Sequence, residues 1–71
     1  MFTDEDLRVL RARYRLRREA VASALGVSGM TVYRWETGKT EIPLLAQRAL
    51  IQYREQLERE AAKGKPSEQA A

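Results

Sequence analysis

The apolar positions between residues 18 and 37 follow the period of two short helices joined by a tight turn. Ala22 is small enough to let two helices cross closely, and Gly26 suits a chain reversal because glycine enters the left-handed region without a Cβ penalty. Ser28 is a good N-cap for the second helix, since its hydroxyl accepts a hydrogen bond from an early backbone amide. The residues predicted to meet inside this corner are all apolar: Val21, Leu25, Val27, Val32 and Trp35.

The same periodicity predicts one helix before the corner and a longer one after it. The first runs from about Asp4 to Tyr14, and the last begins at Pro43, a residue acceptable in a first helical turn, and reaches about Ala62. From Gly64 the chain lacks apolar residues larger than alanine, which predicts a domain over residues 1–63 and a flexible tail over 64–71. The inward residues of the first helix are Leu7, Leu10 and Tyr14, and those of the last are Ile42, Leu45, Ala46, Ala49, Leu50, Tyr53 and Leu57.

The outer face of the second helix of the corner has an unusual composition. At 100° per residue it lies opposite Val32 and Trp35. A merely solvated face more often carries Glu and Lys, whereas the DNA major groove admits one helix and offers hydrogen-bond acceptors and thymine methyls. This surface therefore favours a DNA-reading helix over a corner used only for packing. Its residues are Gly29, Met30, Tyr33, Arg34 and Thr37, of which the first four are the predicted base-reading residues.

Charge is concentrated around that face. Residues 7–40 hold eight basic and two acidic side chains, whereas residues 41–71 hold five of each, although the net charge of the whole chain is only +3. Such an excess is what a phosphate-neutralising surface requires. The predicted phosphate contacts are Arg17, Arg18, Ser28, Thr37 and Lys39.

Several of these positions together resemble the Cro and phage-repressor type of helix-turn-helix protein, also called XRE-like. The resemblance implies an all-α, lambda-repressor-like fold, a compact bundle of four or five helices. It also implies a double-stranded DNA operator that is an inverted repeat, a homodimer, and an ion pair between Arg11 and Glu36. The positions that carry it are Leu10, Arg11, Leu16, Val21, Ala22, Leu25, Gly26, Val27, Val32, Arg34, Trp35, Glu36, Gly38 and Pro43.

The chain departs from the family pattern in two places, at Arg15 and at the pair Arg17 and Arg18. Family members usually have Gly where Arg15 stands, and Thr or Ser followed by Gln where Arg17 and Arg18 stand. Arg15 must therefore accept a strained backbone or lie in a different turn, and Arg17 is a poor cap whose charge opposes the helix dipole. Two interpretations stay open: a solvated arginine-rich loop, or arginines kept because they face phosphates.

Other function classes find little support in the composition. The chain has no Cys and no His, so we expect no metal site, no cofactor and no nucleophile–base pair of an enzyme. The acidic group Asp4, Glu5 and Asp6 is interpreted as a helix start, with Thr3 as N-cap and Phe2 packed on Leu7. No apolar run approaches a membrane span and the N-terminus is acidic, so we expect a cytoplasmic protein. The sequence shows no sign of a small-molecule effector.

The second half of the stripe on the last helix extends past what a three-helix core covers. Leu50, Tyr53 and Leu57 are therefore predicted to form a dimer contact, with folding back over the first helix as the alternative. Leu44 and Ile51 lie on another side of the same helix and are expected to add to the contact. For function, the sequence predicts a DNA-binding transcriptional regulator, a small repressor that acts by promoter occupancy. The alternative is an adaptor that keeps the fold and binds an acidic protein partner through its arginines.

Overall fold

The structure is a computed structural model that describes the backbone of residues 1–70 and the side chains of residues 1–63. This part of the chain forms four helices: α1 Asp4–Tyr14, α2 Arg18–Leu25, α3 Gly29–Glu36 and α4 Leu44–Ala70. The predicted all-α fold with a long last helix is confirmed. Within these residues, none of the helices combines the length and the apolar character needed to cross a membrane.

Local signals determine where the first three helices begin and end. The hydroxyl of Thr3 accepts a hydrogen bond from the Asp6 amide at 3.2 Å, while the Asp6 carboxylate accepts one from the Thr3 amide at 2.9 Å. These two bonds form the capping box that starts α1. Gly26 ends α2 at a left-handed φ of 74°, and the Ser28 hydroxyl caps α3 by accepting from the Thr31 amide at 3.1 Å. The predicted start of α1 and the predicted corner are confirmed.

The core lies where the α2–α3 corner packs on α1 and α4. Leu7, Val21, Val32 and Leu50 are fully buried there. Burial of each such side chain stabilises the fold by roughly 1.5–3 kcal/mol. Because Val32 and Trp35 are drawn into this core, the opposite side of α3 is held at the surface. The complete buried apolar set is Phe2, Leu7, Leu10, Val21, Ala22, Val32, Trp35, Ile42 and Leu50.

One residue of the predicted inward stripe on α4, Leu45, does not face the core. Leu45 was expected to face inward with Ile42, but its side chain is 78% exposed, and Leu44 is 61% exposed. The reason is that Ile42 precedes the helix, so its spacing to Leu45 is not a helical repeat. With Leu50 facing the core, Leu45 lies about 140° away around the helix at 100° per residue.

The C-terminal end of α4 also differs from the prediction. The helix continues to Ala70, past the end expected at about Ala62. Gly64, on which that expectation was based, costs a helix only about 1 kcal/mol relative to alanine, so it is a weak stop signal. The predicted flexible tail at 64–71 lies outside the residues whose side chains are described, and the division at residue 63 stays a prediction.

Candidate nucleic-acid interface

The outer face of α3 is accessible over its full length. Met30 is 55% exposed and Tyr33 is 38% exposed, whereas Val32 and Trp35 on the opposite side are 0% and 5% exposed. At Gly29 an added Cβ would meet no atom within 4 Å, so the start of this face is open and flat. The structure thus places the predicted base-reading residues on one surface: Gly29, Met30, Tyr33 and Arg34, with Thr37 exposed beside them.

The predicted phosphate contacts lie at the ends of α2 and α3. Arg17 precedes α2 and Lys39 follows α3, and both are exposed. The hydroxyls of Ser28 and Thr37 are already engaged, because Ser28 caps α3 and Thr37 donates to the Tyr33 carbonyl at 3.0 Å. Arg17 and Lys39 are therefore the stronger candidates for phosphate contacts, because the two hydroxyls already form hydrogen bonds at the ends of α3.

Among the described residues, the buried charged side chain is that of Glu36, at the end of α3. Two arginines pair with it. Its side chain is 4% exposed. Arg11 donates to it through Nε and Nη2, the second with an Nη2–Oε1 distance of 3.2 Å, and Arg18 donates through Nε with an Nε–Oε1 distance of 2.9 Å. The structure shows the Arg11–Glu36 pair that the resemblance implied. It also gives Arg18 a structural partner that the sequence did not reveal.

Arg8 is a residue of this cluster that sequence reasoning missed. Its Nη1 donates to the backbone carbonyl of Glu36 at 2.5 Å and to the Asp4 carboxylate at 3.1 Å. The hydrogen bond from Arg8 lowers the pKa of the Asp4 carboxyl below its ordinary value. The i,i+4 spacing of Asp4 and Arg8 was a visible signal for their pair. The contact with the C-terminal carbonyl of α3, where a cation is favourable, required the tertiary structure.

Both departures from the family pattern are present in the structure. Arg15 has the left-handed backbone φ 54°, ψ 48° at the end of α1, so it accepts strain instead of lying in a different turn. For a residue with a Cβ this conformation costs roughly 1–2 kcal/mol. Arg17 occupies the N-cap of α2 without a capping hydrogen bond from its side chain. Arginine is thus locally unfavourable at both positions.

The three residues of the predicted dimer contact are not all available at the surface. Leu50 is fully buried within one chain, so it has no surface for a second copy and that assignment is wrong. Tyr53 and Leu57 are half-buried and pack against the core, which agrees with the alternative in which the stripe folds back on its own chain. Among the described residues of α4, the large apolar side chains that are exposed are instead Leu44 and Leu45.

A family model described as a helix-turn-helix domain matches residues 5–62. The chain therefore belongs to the helix-turn-helix family, a class of DNA-binding regulators that typically lack enzymatic activity. The match includes the whole α2–α3 corner and is consistent with the XRE-like type. No curated protein and no solved structure matches the chain significantly.

Proposed function

We propose that the protein is a sequence-specific double-stranded DNA-binding regulator that represses transcription by occupying a promoter. The observation that carries this proposal is the accessible α3 face, which combines Met30 and Tyr33 with an exposed Arg34. Side chains of these types match the base edges of the major groove, where arginine donates twice to guanine and an apolar group meets the thymine methyl. Gly29 lets the helix approach the bases closely.

Phosphate contacts would come from the basic residues at the ends of α2 and α3. Arg17 and Lys39 are exposed, and Arg18 keeps 42% of its side chain exposed. The local cost of arginine at position 17 supports this assignment, because a capping residue there would stabilise α2 better. Ser28 and Thr37 are proposed as secondary phosphate contacts.

The small size of α3 supports a homodimer on an inverted repeat. A helix of eight residues contacts few base pairs, and a two-fold axis doubles the contacts in successive major grooves. The half-site centres would then lie about 10 base pairs apart. The exposed pair Leu44 and Leu45 is a candidate for this contact. The proposed protein is bacterial or phage-encoded and cytoplasmic, and it associates with the nucleoid when bound to DNA.

Selection of bound duplexes from a random library tests the proposal. We expect an enriched inverted repeat that binds two chains at saturation, and reduced transcription from a promoter carrying it. Increased transcription would identify an activator, and one chain per site would remove the dimer. A folded protein that enriches no sequence would contradict base reading and favour the adaptor that binds an acidic protein.

A further inference from the structure

Arg18 lies between the buried carboxylate of Glu36 and the ring of Tyr33. Its Nε donates to Oε1 of Glu36 at 2.9 Å, and its Cζ lies over the Tyr33 ring at 4.9 Å from the centroid. Glu36 is itself held by Arg11, so the acceptor for Arg18 is fixed in place. The guanidinium is thus anchored at one edge while its central carbon lies over the tyrosine ring.

Tyr33 projects from the outer face of α3 and is 38% exposed. Towards Gly29, one turn earlier, the surface is open, because an added Cβ there would meet nothing within 4 Å. The shallow groove beside the ring is lined by Arg18, Glu19, Gly29, Met30 and Tyr33 itself. Among these residues Arg18 is the one that the structure shows stacked on the ring.

We infer that Arg18 is a positioning residue for base recognition: anchored by Glu36, it holds the Tyr33 ring in the orientation in which that side chain meets a base edge. This inference rests on the proposed DNA-reading function of α3. A charge that only contacts phosphate changes the affinity for all duplexes alike. A residue that orients Tyr33 changes the preference at the base pair that Tyr33 contacts.

The chemistry of the side chain makes the two roles separable. A guanidinium is planar, so it can donate along its edge to Glu36 and stack its face on Tyr33 at the same time. A lysine at position 18 keeps the positive charge but has neither a plane nor a fork of donors. Arg18→Lys therefore retains attraction to phosphate and removes the restraint on the ring.

The test is selection from a random duplex library, followed by affinity measurements on single-base variants of the selected site. The wild type is compared with Arg18→Lys, Tyr33→Leu and the double variant. Arg13→Lys is the matched control, since the Arg13 Cζ also lies over a tyrosine ring, that of Tyr14 at 5.4 Å from the centroid, but on α1. We expect Arg18→Lys and Tyr33→Leu to lose about fivefold or more discrimination at the same base pair. The double variant should lose no more than either single variant, and Arg13→Lys should keep the wild-type profile.

An unchanged base profile in Arg18→Lys overturns the inference and leaves the proposed function intact. A wild type that selects no sequence instead contradicts the proposed function itself. If Arg18→Lys fails to fold, nuclear magnetic resonance of the wild type decides. Contacts between Arg18 side-chain protons and the Tyr33 ring, together with coupling constants that correspond to a single Tyr33 χ1 rotamer, would support the inference that Arg18 holds the ring. Rotamer-averaged couplings overturn it.

Discussion

Arg11 of α1 donates hydrogen bonds to the carboxylate of Glu36 of α3 through two guanidinium nitrogens, and the Nη2–Oε1 distance is 3.2 Å. The third nitrogen of Arg11, Nη1, donates to the carbonyl of Leu16 just past α1 at 3.0 Å. The pair therefore joins α1, the turn that follows it and α3. A buried pair is not strongly stabilising in itself, but loss of one partner strands the other.

Glu36→Ala should lower the free energy of unfolding by about 3 kcal/mol, near the lower end of the range for broken buried pairs. The lower end applies because the Arg18 side chain is already 42% exposed and is readily hydrated after the change. Urea unfolding measures the difference, with Glu41→Ala, an exposed residue, as the control. A change of under about 0.5 kcal/mol, typical of surface substitutions, would show that the pair contributes little.

Arg15→Gly should raise the free energy of unfolding by about 1 kcal/mol, because glycine adopts the left-handed backbone at this position without a Cβ penalty. Thermal unfolding of the two proteins provides the comparison. Arg13→Gly, inside α1, is the matched control and should destabilise by about 1 kcal/mol. If both glycine variants are destabilised, the strain at Arg15 is offset by contacts of its side chain.

Arg17→Ser should affect stability and DNA binding in opposite directions. Serine can cap α2 where Arg17 makes no capping bond, which stabilises the fold by about 1 kcal/mol. Loss of one phosphate contact should flatten the slope of log K against log salt by about one. Arg59→Ala, on the exposed side of α4, should leave the slope unchanged. A wild-type slope in Arg17→Ser would remove Arg17 from the DNA footprint.

Arg34→Ala should cost about 1–3 kcal/mol of binding free energy at a selected site and relax the preference at one base pair per half-site. Arg34 lies on the exposed side of α3, away from the core, so the fold should be retained. Affinities for single-base variants of the site provide the measurement. An equal loss for every duplex would reassign Arg34 to the DNA backbone.

Leu50→Ala should lower the free energy of unfolding by about 2–5 kcal/mol, since the side chain is fully buried in the core of one chain. Leu45→Ala, on the exposed side of the same helix, should change it by less than about 0.5 kcal/mol in dilute protein. Chemical unfolding at two protein concentrations separates a core residue from a dimer contact. If the destabilisation caused by Leu50→Ala vanishes at low protein concentration, Leu50 lies in a dimer interface.

The amino-acid sequence alone was sufficient to predict the start of α1, the α2–α3 corner and the side of α3 that faces outward. These features depend on signals within a few residues: the capping box at Thr3, the left-handed Gly26, the hydroxyl of Ser28 and the spacing of Val32 and Trp35. Caps and helical periodicity act locally, so they can be recognised without knowledge of how the helices pack.

The tertiary structure decided how much of the α4 stripe the core covers and which partners the arginines have. Leu50 is fully buried whereas Leu45, at the edge of the predicted stripe, is 78% exposed, and periodicity alone leaves the width of the covered stripe open. Arg8 and Arg18 meet Glu36 across 28 and 18 residues of sequence. Arginines are spread along this whole region, so their number and spacing leave open which of them reach Glu36. Only the docking of α1 and α2 on α3 makes that choice.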